Sequence, residues 1–382
     1  MNISRRQLIR LGIACAGASL FPKFIIPSQA HTTRESRAIF DESLSWITEG
    51  SAENLCQRIK RAGFNVFMPN VWHGRGTSWP SNLAPWDRHR LGKMAKQTPG
   101  FDPLTTLITT AQRYEIEVHP WFNVVSRQRE FFQEFYDNGT PEESFDVHRP
   151  KFRDFIVNLI MECVSRYPVH GVNLDYIRAG SISQSEHSAS DYRKMTGRNL
   201  QIDRRSYGVS DSARQAIAQW QEQAVGDIVQ RVSTQVRKLN KNLVISVCAH
   251  PGHSNLYIQG QDSLKWADEG LIDVIYAMHY EEKPDWEGIR KLQLQMKRPG
   301  ALVVLCGNYE KFGPSKTTTS RDGQKVAQLL QQSRAIGRSN GVGLYLYSML
   351  SDDQVMALRQ TVFKVPAKPH WIRGGADVLL KK

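Results

Sequence analysis

A chain of 382 residues with 40% hydrophobic and 23% charged side chains is long enough for one large core, and its composition lacks the bias of disordered or fibrous proteins. Its formal charge of +13 suits an acidic partner. Nucleic acid is set aside, because no Lys/Arg stripe interleaved with aromatics runs along the chain, and an anionic glycan fits the charge equally well.

The first thirty residues read as a targeting segment. Ser4-Arg5-Arg6-Gln7-Leu8-Ile9-Arg10 precedes an apolar run from Leu11 to Leu20, and Ser28-Gln29-Ala30 offers a small-residue cleavage site. The paired arginines resemble a twin-arginine export signal over residues 1–30, which predicts a periplasmic or extracellular protein. The run is too short to cross a bilayer comfortably, so no stable membrane span is expected after cleavage. Cys15 comes too early, and without a leucine three residues before it, to be a lipid-attachment site. Loss of Arg5, Arg6, Arg10 and Lys23 with the segment leaves +9.

From Ser36 onward, short apolar runs alternate with amphipathic stretches, the pattern of βαβ units around a parallel sheet. Strands are predicted at 37–41, 64–72, 116–123, 171–177, 243–249, 272–280, 301–309 and 341–348. Helices are predicted at 52–62, 103–114, 150–167, 211–239, 263–269, 286–296, 324–336 and 352–363. Asp102-Pro103 reads as a helix start, and Ala62-Gly63 and Glu269-Gly270 as glycine-terminated ends. Eight units predict a closed (β/α)₈ TIM barrel over 36–363, with a C-terminal extension over 364–382. An open doubly wound sheet is the alternative, but Phe40-Asp41-Glu42 leads into no Gly-rich phosphate turn. The long connections 73–101 and 179–210 then fall on the catalytic rim. Cys56 and Cys163 fall on helices, Cys248 and Cys306 on strands two apart, so buried free thiols are expected and no zinc spacing is present.

Residues two apart in a strand share a face. In Gly171-Val172-Asn173-Leu174-Asp175-Tyr176-Ile177 this turns Asn173 and Asp175 into the barrel mouth, where a carboxylate is costly unless paired or used. A purely structural Asp175, bonded to neighbouring strand-end groups or to Arg178, is the alternative. The same alternation sends His119, Trp121 and Asn123 to one side of the third strand. Other strand ends add His73, His250, His279 with Tyr280, and Asn308 with Tyr309. Trp72, Trp79, Trp86 and Trp121, with Arg75 and Arg88 nearby, are candidates for a sugar-stacking floor, or else they pin the long loop to the barrel.

Glycoside hydrolysis needs two carboxyl groups flanking the bond. Asp175 is one, and Glu281 is the first choice for its partner because it follows His279-Tyr280; Glu282, Glu310, Asp41 and Glu42 are further candidates. Arg178, His73, His119, Asn123, Trp72, Trp121, Asn173, His250, His279 and Tyr280 complete the expected substrate-binding set.

Four segments, Pro99-Gly100-Phe101-Asp102-Pro103-Leu104, Glu117-Val118-His119-Pro120-Trp121-Phe122-Asn123, Gly171 to Arg178 and Trp266-Ala267-Asp268-Glu269-Gly270-Leu271-Ile272-Asp273, resemble the glycosyl-hydrolase-like family 10 domain in order and spacing. The resemblance spans residues 37–350 and implies a barrel related to bacterial glycosidases, including those acting on cell-wall or exopolysaccharide aminosugars. It places functional weight on Asp175, His119 and Asn123. Many relatives carry a second Asp or an aromatic-proline pair after the fourth-strand Asp, where this chain has Tyr176 and Ala179-Gly180. Val71-Trp72-His73 stands where Val-Arg-Pro is more usual.

The leading expectation is an exported glycoside hydrolase of a bacterial polysaccharide or oligosaccharide, working without cofactor or metal. A catalytically silent polysaccharide-binding barrel is the second reading. The third is a metal-dependent hydrolase in which His73, His119, His250 or His279 joins Asp175 around zinc, although no His-x-His stands at the first strand.

Overall fold

The computed structural model describes residues 33–94, 99–128, 130–312, 317–336 and 339–371. The expected export signal lies outside them. Eight parallel strands close on themselves: β1 (Ser36–Asp41), β2 (Val66–Trp72), β3 in two pieces (Glu117–Val118 and Trp121–Asn123), β4 (Gly171–Asp175), β5 (Val244–Ala249), β6 (Val274–His279), β7 (Leu302–Gly307) and β8 (Gly341–Tyr345). Each pairs with its neighbour in sequence, and β8 pairs with β1 to seal the barrel.

Barrel strands are covered on both faces, so they read as continuous apolar runs such as Val-Ile-Ser-Val-Cys-Ala in β5. Alternation still separates two cores. Ala38, Phe40, Val66, Met68, Trp121, Val244, Cys248, Tyr276, Val303 and Leu305 fill the barrel interior. Ile39, Phe67, Phe122, Leu174, Ile245, Ile275 and Val304 face outward into the helix layer. That layer comprises α1 (Ser51–Ala62), α2 (Pro103–Arg113), α3 (Pro150–Arg166), α4 (Asp211–Leu239), α5 (Ser263–Asp268), α6 (Trp286–Gln295), α7 (Gly323–Ala335) and α8 (Asp352–Gln360). The predicted boundary chemistry is present: the Asp102 carboxylate accepts from Leu104 N and Thr105 N at the start of α2, and Gly63 closes α1 at φ 94°.

The third strand is interrupted at His119-Pro120, where an unbroken run was predicted. Pro120 has no N–H to give to the ladder, and the pairing with β2 slips there, from Asn70 opposite Trp121 to Trp72 opposite Phe122. The four cysteines Cys56, Cys163, Cys248 and Cys306 are buried and unbridged.

The rim connections are structured. Residues 73–101 hold the helix Arg88–Met94, and residues 179–210 hold the helices Glu186–Thr196 and Leu200–Ser206 over a small core of Tyr192, Leu200, Ile217 and Trp220. At the opposite end of the barrel, Ala367–Lys368 pairs with Thr33–Arg34, and Trp371 donates from Nε1 to Glu117 Oε2 at 2.8 Å. No described helix is long and apolar enough to cross a membrane.

Candidate active site

Asp175 is the last residue of β4, turned into the barrel mouth and 5% exposed. Its Oδ2 accepts from Trp121 Nε1 at 3.2 Å, and its Oδ1 from the Tyr176 backbone N–H at 2.6 Å. Burial pushes its carboxyl up to about 6, and the nearby Glu42 charge adds to the rise; Arg178 and the two hydrogen bonds oppose it. The chain turns sharply just beyond, with Tyr176 at φ 49°, a left-handed conformation uncommon for a residue with a Cβ.

Aromatic rings wall the mouth. Trp121 meets Phe40 edge-on at 5.5 Å and Tyr345 at 6.3 Å, while Tyr345 stacks on Tyr280 at 4.7 Å and Tyr309 closes the group. Tyr345 also donates its hydroxyl to Glu42 Oε2 at 2.7 Å, tying the second carboxyl of the mouth to the wall. Behind Glu42 runs a polar chain. Arg90 donates to the Glu42 carbonyl and to Asn70 Oδ1, and Asn70 donates to Asn123 Oδ1 at 3.2 Å.

Outside Asp175 lies a cleft of about 680 Å³ lined by His73, Gln128, Glu143, Tyr176, Arg178 and Gln259, among others. Tyr176 is 43% exposed there, and the Arg178 guanidinium lies 4.6 Å over its ring. His73 shares a 2.9 Å hydrogen bond with Gln128, and burial, helped by the Arg90 charge, lowers its imidazole to about 4. It is neutral at physiological pH.

Asp175, Trp121, Asn123, Tyr280, Arg178 and His73 are thus gathered at the mouth or its cleft. His250 is exposed at the end of β5, within electrostatic reach of Arg178 and His279. Several expected site residues are placed elsewhere. Trp72 faces outward, is fully buried and packs on Phe132 and Phe155, so it belongs to the helix-layer core; Trp79 is likewise buried, against Phe122. His119 does face inward, but at the opposite end of the barrel, against Glu117 and Trp371. A Cβ on Gly171 would come within 2.6 Å of its ring. Asn173 lies one layer below the mouth, spent on Ser246 Oγ and Cys248 Sγ. Glu281 has the outward parity of His279 and hydrogen-bonds its Nδ1 at 2.7 Å.

The other carboxyl candidates divide equally clearly. Glu282 is ion-paired with Lys325, and Glu310 lies within 3.5 Å of Arg321 and Lys325. Asp41 is buried and accepts from both Ser43 and Ser45. Glu42 alone among these candidates is one of the charges that act on Asp175. Extending the inward alternation of Ala38 and Phe40 by one step finds Glu42, and the same rule finds Tyr345 from Gly343. Arg90 and Asn70 carry no such signal, because a loop helix brings Arg90 to the site.

A parallel eight-stranded barrel with a buried carboxyl at the end of its fourth strand has the architecture of the barrel glycoside hydrolases. The chain belongs to the glycosyl hydrolase-like 10 family, whose pattern it matches over residues 41–138 and 135–297. It is 24% identical over 262 residues to the glycosyl hydrolase DigH of Escherichia coli (strain K12), a match covering 58% of this chain and 56% of DigH. To the glycosyl hydrolase YngK of Bacillus subtilis (strain 168) it is 22% identical over 204 residues, covering 46% of this chain and 39% of YngK. The chain therefore spans about half the length of these relatives or less. In fold it is similar to the PgaB (BpsB) glycoside hydrolase domain of Bordetella bronchiseptica, with a TM-score of 0.61 at 12% identity over 85% of this chain and 98% of that one. The catalytic domain of a Paenibacillus polymyxa beta-amylase gives a TM-score of 0.55 at 10% identity over 88% and 99%.

Proposed function

We propose that the protein is an exported glycoside hydrolase acting on a bacterial cell-wall or extracellular polysaccharide, with Asp175 and Glu42 as its two carboxyl groups. The observation that carries this reading is the state of Asp175: buried at the barrel mouth, fixed by Trp121 and Tyr176, free of any ion pair among the described residues, and raised to about 6. A carboxyl so tuned keeps a protonated fraction near neutral pH, which suits a general acid. In this reading Asp175 gives its proton to the glycosidic oxygen as the bond breaks. Glu42, oriented by Tyr345, serves the anomeric carbon, as nucleophile or as the base for an attacking water. The aromatic wall of Tyr280, Tyr309 and Tyr345 supports sugar stacking and excludes water.

The test is incubation of the protein lacking residues 1–30 with peptidoglycan and a range of bacterial exopolysaccharides, followed by mass analysis of products, with Asp175→Asn alongside. New reducing ends from the wild type and none from the variant are expected. Equal release by both would overturn the assignment. Glycan binding without cleavage, unchanged in Asp175→Asn, would instead favour a silent binding barrel. Export is tested by fractionation of cells carrying the full chain or its Arg5→Lys/Arg6→Lys variant; passage of the variant at the wild-type level would refute a twin-arginine route.

A further inference from the structure

Two arginines line the cleft outside Asp175, and only one is committed within the protein. Arg127 donates from Nε to the Ser144 carbonyl at 3.1 Å and from Nη2 to the Pro141 carbonyl at 3.2 Å, and it covers the Tyr136 ring. Arg178 has no side-chain hydrogen bond and no ion pair among the described residues. Its guanidinium rests over Tyr176, and its Nη1 is closed off from water with no acceptor in reach. The charge does act on Asp175, opposing the rise of its pKa, yet the two groups do not pair.

A half-buried guanidinium whose Nη1 has lost hydration and gained no acceptor has an unmet demand for one. Its planar fork matches a carboxylate better than a single hydroxyl. Glu143 lines the 141–144 wall of the same cleft and would repel a second acid there, so an incoming carboxylate is favoured on the Arg178 side. The excess of cations over the whole chain favours association with a polyanion.

We propose that Arg178 selects an acidic sugar: the carboxylate of a uronic-acid or lactyl-ether unit binds its guanidinium in the subsite next to Asp175. This rests on the glycan-cleaving reading of the cleft, and the experiment separates the two. Short oligouronates form one arm and chains of lactyl-bearing aminosugars the other, each beside the same material with its carboxyls reduced to alcohols. Binding is measured by calorimetry and cleavage by product mass for the wild type, Arg178→Gln and Arg178→Lys.

In one arm the wild type should prefer the acidic form over its reduced partner on the order of 10- to 100-fold, the range of a charge-assisted hydrogen bond. Arg178→Gln should bring the ratio to about one, and Arg178→Lys should keep part of it. The ratio cancels any effect of Arg178 on Asp175 itself, since both forms meet the same carboxyl. The side chain makes no internal hydrogen bond, so Arg178→Gln is expected to fold, which its thermal melt verifies. Equal binding of both forms by the wild type, no binding of the acidic form in either arm, or a preference that survives Arg178→Gln overturns the proposal. Selective binding without cleavage upholds the subsite and defeats the hydrolase reading; cleavage with no preference for the acid does the reverse.

Discussion

Trp121 on β3 donates its indole Nε1 to Oδ2 of Asp175 on β4 at 3.2 Å, so one ring both walls the barrel mouth and steadies the carboxylate form of the group beside it. Removing that donor disfavours the charged state. Trp121→Phe, which keeps most of the ring volume, should raise the Asp175 carboxyl by up to about one unit, the worth of a single hydrogen bond. If Asp175 is the acid, kcat/KM falls as pH rises past about 6 in the wild type, and the variant's descending limb moves to higher pH. A pH–rate profile checks this, and an unmoved limb would separate Trp121 from the chemistry.

Asp175 also leaves a thermodynamic mark. Its carboxyl rises from 3.8 to about 6 on folding, so the native state binds a proton more tightly than the unfolded chain. Its contribution to stability is therefore whole below pH 3.8 and is lost as pH rises through 6. At pH 7 the ionised group costs at most about 3 kcal/mol, from the difference between those two values. Asp175→Asn should melt at a higher temperature than the wild type at pH 7, with the gap closing towards pH 4, while turnover disappears. An active site that is less stable than its inactive variant is the pattern of a group held for chemistry.

Much of this was legible from alternation alone. The eight strand and helix signals gave the barrel, and the period of two gave the inward set Trp121, Asn123, Asn173 and Asp175. Period gives a face and carries no depth, however. His119 and Asn173 share the inward face with Asp175, yet one lies at the far end against Trp371 and the other a layer down against Ser246. Loop tryptophans mislead for a different reason, because burial and sugar stacking draw on the same apolar ring. The proposed partner of Asp175 lay within reach of the same alternation, one step past Phe40, but its tie to Tyr345 was hidden by distance in sequence: Glu42 and Tyr345 meet only because β8 closes on β1.

Glu42 and Glu281 therefore make opposite predictions. Glu42→Gln should lower turnover on the order of 10²- to 10⁴-fold, the usual worth of a positioned acid or base. It also removes a negative charge that raises Asp175, so whatever activity remains should decline at a lower pH than in the wild type. Glu281→Gln breaks only an exposed hydrogen bond to His279 and should leave both rate and profile within about twofold, because exposed pairs of this kind contribute little. Kinetics of the two variants on the same glycan decide between them; a large loss from Glu281→Gln with none from Glu42→Gln would reverse the assignment.

Trp72 tests whether a residue in the second-strand motif serves the fold or the substrate. Its ring is fully buried between Phe132 and Phe155, and its Nε1 has no hydrogen-bond partner among the described residues. Trp72→Phe therefore gives up no hydrogen bond, and its cost is the cavity left by the smaller ring, about 1–3 kcal/mol. Trp72→Ala empties the site and should cost about 3–5 kcal/mol. The lower melting temperature of Trp72→Phe should come with unchanged KM in the folded protein, since no substrate reaches a ring behind the barrel wall. A raised KM at unchanged stability would mean that the ring turns outward to meet sugar, and would return Trp72 to the binding face.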